Sequence, residues 1–426
     1  MQPLQNPNDE VHVPTIVSGS VSDPEQFALP VITMCVISMI EVVTVDKDDG
    51  EEAIELARVM QTSNATHPGG QGINDVVEYY SVTREVKNAI FGKVYHALKL
   101  ELVPAADAPV EGLPHPPPYD WRGGGAYRLR EVVPHIEVAI KAYFKQQLRA
   151  MSGRSAEDHL AEFGAMQYLG RNNRYVMGQL GAYHDGECVY SVMEFCSGGE
   201  LHDLVAVSAF PEDKAHKYFL QILTGLEYCH SMGVAHRDMS LENIIYDDKT
   251  DTMKIIDFGM CLKVPKDETT GAFMLMPPQG RCGKKNYMSP EVIKNTQNFN
   301  PMKADIWALG VILHTILTGF PPVDCATTAD PRYRMLSAGH LRTLLSYWNV
   351  THLSDSAMDL LENMLRPTPG DRLTLAQIRQ HPWCVLGPGP RAGGHVEQTG
   401  GVTENGNGVA ENGNEGVGVN HAMDMA

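Results

Sequence analysis

The sequence predicts an α+β fold in which strands come first along the chain and helices follow. Alternating apolar residues, typical of half-buried strands, occur between residues 78 and 193. Runs with helical spacing occupy much of residues 197–386, including a largely apolar run at 305–317 that predicts a buried helix. The 426 residues leave room for one large domain of two lobes plus flanking segments.

Composition and charge exclude several classes of protein. The hydrophobic content of 43% suffices for a substantial core, and the net charge of -18 argues against a nucleic-acid or anionic-membrane binder. The apolar run at 27–40 is too short for a membrane helix and lacks the basic start of a signal peptide, so we expect no membrane attachment. The eight cysteines form no CxxC pair or zinc pattern, which favours reduced thiols in the cytoplasm or nucleus.

The two ends of the chain differ from the middle. Residues 1–77 carry Pro, Asn, Asp and Gly punctuation and one helix candidate at 50–60, and we predict a partly disordered extension. Residues 387–426 form an acidic, Gly- and Asn-rich tail without aromatic residues, which buries too little surface to offset backbone ordering. We therefore predict a disordered tail and a folded domain at 78–386.

A long insertion interrupts the strands of the first lobe. Residues 78–86 and 91–98 fit two successive strands. Residues 101–135 follow, with many prolines and three consecutive glycines, which oppose both helix and sheet. We expect a long loop there, which serves either as an interaction segment or as a passive connection.

The next elements carry charged residues at defined places. Residues 136–141 predict a strand that ends in Lys141, and a helix candidate runs from about 156 to 169 with Glu162 on it. A buried-type strand at 190–193 leads into a Glu-Phe-Cys-Ser-Gly-Gly-Glu-Leu run.

Two short loops of the second lobe carry the residue types needed for chemistry. The run His-Arg-Asp-Met-Ser-Leu-Glu-Asn at 236–243 places Asp238 and Asn243 five residues apart. Such a turn presents a carboxylate to a substrate hydroxyl and an amide oxygen to a metal ion. Fourteen residues past Asn243 comes Asp257, at the start of an Asp-Phe-Gly triplet.

These motifs, in this order, resemble a eukaryotic protein kinase over residues 78–384. The resemblance implies a two-lobed kinase fold, in which a small antiparallel sheet with one main helix (78–193) precedes a larger, mostly helical lobe (197–386). The Tyr-Met-Ser-Pro-Glu run at 287–291 and the His-Pro-Trp at 381–383 are most similar to the calcium/calmodulin-dependent group of serine/threonine kinases. Such an enzyme uses ATP and Mg²⁺ and acts on protein substrates.

The resemblance assigns catalytic roles to five positions. Lys141, held by Glu162, would orient the α- and β-phosphates of ATP. Asn243 and Asp257 would hold the magnesium ion. Asp238 would act as the catalytic base toward the substrate hydroxyl.

The resemblance also implies a nucleotide pocket. Its positions are, in chain order, Gly92, Val94, Ala139, Lys141, Glu162, Met193, Glu194, Cys196, Glu200 and Ile245. Two of the three glycine positions of the phosphate-covering loop are occupied by Lys87 and Ala89, whose side chains would crowd the close backbone approach. Taken alone, this stretch also fits an ordinary hairpin. Glu157 remains an alternative to Glu162, and Lys99 follows Gly92 too closely to be the ATP lysine.

Two positions depart from the pattern of serine/threonine kinases. Ser240 occupies the place of a lysine that contacts the γ-phosphate, and Lys284 occupies the place of a threonine after Gly283. Because these positions meet in the family fold, our hypothesis is that Lys284 supplies the missing cation. The alternative is that Lys284 points to solvent and catalysis is slower.

Regulation and substrate are less constrained by the sequence. Arg237 occupies a position that pairs with a phosphorylated residue in many kinases, and Thr269 and Thr270 are the hydroxyl residues between Gly259 and Tyr287. Phosphorylation there stays an open alternative.

Glu200 matches a position that meets the ribose or a basic substrate residue, although an acid at a helix start is also favoured by the helix dipole. With Glu242, it would favour basic residues near the target serine or threonine. The oligomeric state is not predicted. A different class of function, a pseudokinase used as a nucleotide-binding scaffold, is favoured by Lys87, Ser240 and the insertion.

Overall fold

The fold was described from a computed structural model. The described residues are 79–104, 127–151, 159–184, 186–267 and 269–389, together with short strands at 35–40, 45–46, 52–53 and 58–63. The predicted tail beyond residue 389 and most of the predicted extension before residue 79 lie outside these ranges. Within them the chain forms the two lobes expected from the sequence, a sheet up to residue 194 and a mostly helical lobe after it.

The small lobe is built on one sheet. Its strands are β1 Cys35–Ile40, β2 Val45–Asp46, β3 Glu52–Ala53, β4 Arg58–Ser63, β5 Tyr79–Ala89, β6 Gly92–Pro104, β7 Tyr127–Glu131, β8 Glu137–Phe144, β9 Gln179–His184 and β10 Cys188–Glu194. β6 pairs antiparallel with β5 and β8, and β10 pairs antiparallel with β8 and β9. The helices α1 (Lys145–Met151) and α2 (His159–Leu169) follow β8, which confirms the predicted small sheet with one main helix.

Two strands from the N-terminal part close this sheet into a ring. β4 pairs antiparallel with β5, β1 pairs antiparallel with β4, and β1 also pairs in parallel with β9. The ring therefore runs β5-β6-β8-β10-β9-β1-β4 and back to β5. The expected helix at residues 50–60 is wrong, since β3 and the start of β4 occupy parts of it. Backbone pairing with distant strands overrides a weak local helix pattern here.

The prediction of a loop over 101–135 is wrong at 101–104 and 127–131, which form strands. β6 continues to Pro104, and β7 pairs with it in an antiparallel register that joins Leu102 to Leu129. The open side of β6 beyond its pairing with β8 offers backbone donors and acceptors, and β7 satisfies them. Residues 105–126, where most of the prolines lie, are outside the described ranges.

The large lobe is mostly helical. Its elements are α3 Leu201–Val207, α4 Glu212–Ser231, β11 Val234–Ala235, a 3-10 turn at Leu241–Asn243, β12 Ile244–Asp247, β13 Thr252–Ile255, β14 Leu262–Lys263, α5 Pro290–Lys294, α6 Pro301–Thr318, α7 Pro331–Ser337, α8 Leu341–Tyr347, α9 Asp355–Met364, a 3-10 turn at Pro369–Asp371, α10 Leu375–Gln380 and α11 Pro382–Leu386. Among the described residues, no helix combines the length and apolar character needed to cross a bilayer.

α6 is the central helix of this lobe. All of its residues except Lys303 and Thr318 are buried, as the apolar run predicted. Asn300 caps its start by accepting a hydrogen bond from the backbone of Lys303, and Gly319 ends it in the left-handed conformation (φ 86°). α6 is thereby a rigid support for the loop at 236–243, which Asp305 of this helix contacts.

A buried ion pair fixes the end of the activation segment, here residues 257–291. Both terminal nitrogens of Arg372 donate to the carboxylate of Glu291, at 2.6 and 2.7 Å. The Arg372 side chain is fully buried and also donates to three backbone carbonyls. A bidentate pair of this kind holds α5 in one orientation against the lobe.

Candidate active site

The loop at 236–243 is held from below by a buried carboxylate of α6. Asp305 is 1% exposed and accepts hydrogen bonds from the backbone nitrogens of His236 and Arg237, both at 2.8 Å. The ring of His230 contacts the same carboxylate at 2.8 Å. Arg237 adopts φ 66°, which is unfavourable for a residue with a side chain and persists where its surroundings enforce it. Asp305 therefore sets the backbone of the loop before any ligand binds.

Asp238 and Asn243 contact each other directly within this loop. Nδ2 of Asn243 donates to the backbone oxygen of Asp238 at 2.7 Å and to its Oδ2 at 2.8 Å. Because both bonds use the nitrogen, Oδ1 is the atom of Asn243 that is left to face a cation. Asn243 thus holds the Asp238 carboxylate in place through its nitrogen and keeps its amide oxygen for another ligand.

Lys284 approaches the catalytic loop through Gly283. Gly283 adopts φ 87°, and a Cβ there would lie 2.9 Å from the backbone oxygen of Arg237. The backbone nitrogen of Lys284 donates to Oδ1 of Asp238 at 3.2 Å. Its ammonium donates to the hydroxyl of the buried Ser240 at 2.9 Å and lies 3.5 Å from Oδ2 of Asp238. Glycine is required at 283 for this approach, which places the cation beside Ser240.

A second charged cluster joins the two lobes. The ammonium of Lys141 on β8 donates to both carboxylate oxygens of Glu162 on α2 at 2.9 Å, and it lies 3.8 Å from Oδ1 of Asp257. Glu162 is 3% exposed. Glu162 is thus the partner of Lys141 in the structure, while the alternative, Glu157, lies outside the described residues.

Burial and charge act against each other in this cluster. Burial acts to lower the pKa of Lys141, but the carboxylates of Glu162 and Asp257 outweigh it and hold that pKa well above its ordinary value. Burial raises the pKa of Glu162, and Lys141 offsets only part of the rise. Burial also acts to raise the pKa of Asp257, but Lys141 and His236 outweigh it and the pKa is lowered. Lys141 stays cationic and Asp257 anionic at neutral pH.

Asp257 reaches the cleft from a strained position. It adopts φ 64°, and its neighbour Phe258 is fully buried with its ring 4.9 Å from that of His236. His236 also contacts the backbone oxygen of Ile256 at 2.9 Å through Nε2. The Asp257 carboxylate and the amide oxygen of Asn243 are hard oxygen donors, which fit Mg²⁺, an ion commonly bound by one or two protein ligands together with phosphates.

The sheet register brings the roof of the predicted nucleotide pocket together. Val94 on β6 lies opposite Lys141, and Ala139 on β8 lies opposite Met193 on β10. A Cβ on Gly92 would lie 1.8 Å from the backbone oxygen of Ala142, so glycine is required there for β6 to approach β8. The floor comes from Ile245 of the large lobe, which packs against the main core together with Met193 of β10.

The connection between the lobes, residues 194–196, is charged on the outside and buried at its end. The carboxylate of Glu194 accepts from Lys254 at 3.0 Å and from Arg171 at 3.5 Å. Cys196 is 5% exposed, and burial raises the pKa of its thiol to about 12, which keeps it protonated. The side chains of Glu194 and Cys196 therefore form ion pairs or are buried within the protein. This is expected if the backbone of the segment, and not its side chains, binds the ligand.

Glu200 forms an ion pair that the sequence did not predict. Its carboxylate contacts the ammonium of Lys87, which is 60% exposed on the side chain while Glu200 is 20% exposed. Lys87 occupies the first glycine position of the predicted phosphate-covering loop. Its side chain, which a glycine would lack, extends from the small lobe to Glu200 of the large lobe. No local pattern announces such a contact, because it joins residues 113 positions apart.

Tyr143 was also missed. Its hydroxyl donates a hydrogen bond to Oε2 of Glu162. The available signal was its spacing, since residues two apart on a strand share one face and Lys141 is two residues earlier.

The threonines proposed as phosphorylation sites lie in a tight turn. The hydroxyl of Thr270 donates to Oδ1 of Asp267 at 2.9 Å, and the backbone nitrogen of Thr269 donates to the same atom at 3.0 Å. Arg237 donates from Nη1 to the backbone oxygen of Met260 at 3.3 Å. In the described residues, Arg237 and the two threonines therefore have different hydrogen-bond partners, Met260 and Asp267.

Comparison with known proteins agrees with this arrangement. The model of the protein kinase domain matches residues 122–384. Calcium-dependent protein kinase 5 of Oryza sativa subsp. japonica is 34% identical over 271 residues, which cover 63% of this chain and 46% of the relative. Serine/threonine-protein kinase CHK1 of Mycosarcoma maydis is 38% identical over 200 residues, 46% of this chain and 28% of the relative.

A vertebrate relative shows the same likeness over more of this chain. Maternal embryonic leucine zipper kinase of Danio rerio is 32% identical over 286 residues, which cover 66% of this chain and 39% of the relative. The chain spans about half or less of the length of the curated relatives that it matches. The matched domain and the order of the motifs show that this chain belongs to the protein kinase family, on its serine/threonine side and similar to the calcium-dependent kinases.

Proposed function

We propose that this protein is a protein kinase that transfers the γ-phosphoryl group of ATP to serine or threonine hydroxyls of protein substrates. One observation carries the proposal, namely the simultaneous assembly of both charged clusters. Lys141 holds Glu162 at 2.9 Å and lies 3.8 Å from Asp257, while Asp238 and Asn243 contact each other at 2.8 Å. Phosphoryl transfer requires positioning and charge neutralisation, and these side chains supply both.

In this proposal each residue has a role that its contacts support. Lys141 binds the α- and β-phosphates, and Glu162 holds its ammonium in place. Asn243 and Asp257 provide oxygen ligands, and bound magnesium neutralises phosphate charge. Asp238 accepts a hydrogen bond from the substrate hydroxyl and aligns it for in-line attack.

Lys284 takes the place of the absent catalytic-loop lysine. Its ammonium sits 2.9 Å from the Ser240 hydroxyl and 3.5 Å from the Asp238 carboxylate, with 35% of its side chain exposed. Its ammonium therefore lies beside the carboxylate that is proposed to align the substrate hydroxyl. We therefore assign Lys284 as the cation that stabilises charge on the transferred group.

Substrates with basic residues near the target hydroxyl fit the acidic side chains at the cleft. Oε2 of Glu242 is buried and has no hydrogen-bond partner within the described part of the chain. An unpaired carboxylate oxygen is costly, and its negative charge near the catalytic loop would favour a basic substrate residue over an acidic one. Glu200 offers a second carboxylate whose present partner, Lys87, is exposed. We place this activity in the cytoplasm or nucleus, which imaging of a tagged protein tests.

The second candidate function is a pseudokinase scaffold. Lys87 favours it, because a side chain at the first glycine position spans the mouth of the cleft. Incorporation of labelled γ-phosphate into a mixed peptide library separates the two candidates, with wild type and Asp238→Ala measured side by side. Activity in wild type alone supports the kinase. Equal background in both, with retained ATP binding, supports the scaffold.

A further inference from the structure

The carboxylate of Glu162 accepts a third hydrogen bond besides the two from Lys141. The hydroxyl of Tyr143 donates to Oε2, the same oxygen that accepts from Lys141 at 2.9 Å. Glu162 is 3% exposed and Tyr143 is 1% exposed, so water does not compete for this bond. The pair described above is therefore a buried triad.

Tyr143 contacts both other members of this triad, and it also packs against α2, the helix that carries Glu162. Alternation along β8 puts Tyr143 and Lys141 on the same face of the sheet. The ring of Tyr143 lies 5.4 Å from that of Phe163, the residue next to Glu162 on α2, and 5.1 Å from the Lys141 ammonium. Tyr143 thus joins β8 to α2 by packing as well as by a hydrogen bond.

The hydroxyl and the ammonium do not hold Glu162 in the same way. Under the proposed function, the three ammonium protons of Lys141 are shared between Glu162 and the phosphates, which compete with Glu162 as acceptors. The hydroxyl of Tyr143 is neutral and gives its one proton to Glu162. Its bond therefore persists while Lys141 is engaged by the nucleotide.

We propose that Tyr143 is a positioning residue, whose hydroxyl fixes the Glu162 carboxylate and so keeps α2 and Lys141 in the nucleotide-binding arrangement. The proposal rests on the proposed function in that the aligned lysine serves ATP. It adds a residue to which the motif comparison assigned no role.

The substitution Tyr143→Phe tests it, since it keeps the ring and removes only the hydroxyl. Tyr218→Phe is a matched control, because Tyr218 on α4 is 6% exposed and its hydroxyl donates to Asp251 at 2.8 Å, away from the triad. We expect Tyr143→Phe to lower kcat/KM for ATP about tenfold, as for a lost bond to a charged group, and to leave the KM for peptide unchanged. Tyr218→Phe should match wild type in both.

A measurement without turnover separates this proposal from the proposed function. Hydrogen exchange of the α2 amides in nucleotide-free protein should be faster in Tyr143→Phe than in Tyr218→Phe or wild type. If wild type transfers no phosphate, the proposed function fails while this comparison still decides the role of Tyr143.

Partner dependence gives the second check. In a Glu162→Gln background, Tyr143→Phe should weaken ATP binding much less than it does alone, because the hydroxyl acts through that carboxylate. Equal ATP affinity and α2 exchange in Tyr143→Phe and wild type would overturn the proposal. So would a Tyr143→Phe protein that fails to fold where Tyr218→Phe folds, since the hydroxyl would then be structural.

Discussion

The ammonium of Lys284 donates a hydrogen bond to the hydroxyl of Ser240 at 2.9 Å and lies 3.5 Å from Oδ2 of Asp238. The positive charge that kinases usually carry in the catalytic loop is thus brought in from the activation segment. Gly283 makes this approach feasible, because its φ of 87° brings the backbone close to Asp238. The contact agrees with our hypothesis from the sequence, and its catalytic meaning is a prediction.

Lys284→Ala should lower kcat about 100-fold, the cost of losing a group that stabilises transition-state charge, while ATP affinity barely changes. Steady-state kinetics with a peptide substrate and a binding titration measure the two quantities. Lys285→Ala is the matched control, since Lys285 is the exposed neighbour. The double variant Ser240→Lys, Lys284→Thr restores the usual arrangement and should recover activity. An unchanged rate in Lys284→Ala contradicts the assignment.

Lys87→Ala should change the preference for basic substrates. Removing Lys87 frees the carboxylate of Glu200 to bind a basic substrate residue. The KM for an arginine-bearing peptide should therefore fall by up to about fivefold, the size expected for an exposed ion pair. The KM for a neutral peptide should stay constant. The difference should shrink as salt is raised. Lys93→Ala, which breaks the Lys93–Glu85 pair on the same hairpin, is the control. Equal shifts for both peptides contradict the prediction.

Activity should not require phosphate on the activation segment. The backbones of Met276 and Phe299 exchange two hydrogen bonds, at 2.8 and 2.9 Å, and these bonds order the segment without a phosphate. The double variant Thr269→Ala, Thr270→Ala should keep its rate within about twofold, as for surface substitutions. Phosphatase treatment and mass spectrometry provide the check. A phosphorylated threonine whose removal abolishes activity points to the opposite mechanism.

Stability should fall in acid because His314 is buried in its neutral form. Burial lowers its pKa to about 4, and its Nε2 has no hydrogen-bond partner in the described structure. The unfolded chain binds this proton near pH 6.5, so the free energy of unfolding declines as pH falls from about 6.5 to 4, by about 3 kcal/mol from this group.

The variant His314→Asn isolates that contribution. Asparagine keeps a donor for the backbone oxygen of Phe320, which His314 contacts at 2.9 Å, but does not titrate. Urea unfolding at a series of pH values should show a shallower decline in the variant than in wild type. Parallel curves exclude His314 as the cause.

Local patterns predicted the parts of this molecule that local chemistry determines. The unbroken apolar run of α6 and the alternation around Lys141 indicated their elements correctly. The pairing of β1 and β4 that closes the sheet was not predicted, because their partners β9 and β5 lie far away in the sequence.

The same division holds for the candidate site. Motifs indicated Lys141, Glu162 and Asp257. In the structure the ammonium of Lys141 lies 2.9 Å from the Glu162 carboxylate and 3.8 Å from that of Asp257. The contacts of Tyr143 and Lys87 were not predicted, since they depend on how a side chain reaches across the fold. A motif specifies residue types in order, whereas these contacts depend on three-dimensional packing.

The ring formed by β1 and β4 has a practical consequence for shortened versions of the protein. A version that starts at residue 78 would keep the motifs but leave β5 and β9 with exposed backbone donors and acceptors along one side. Bare strand edges recruit strands from other molecules and so promote aggregation. In the full chain, β4 and β1 cover these edges of β5 and β9, which we expect to lower the tendency to self-associate.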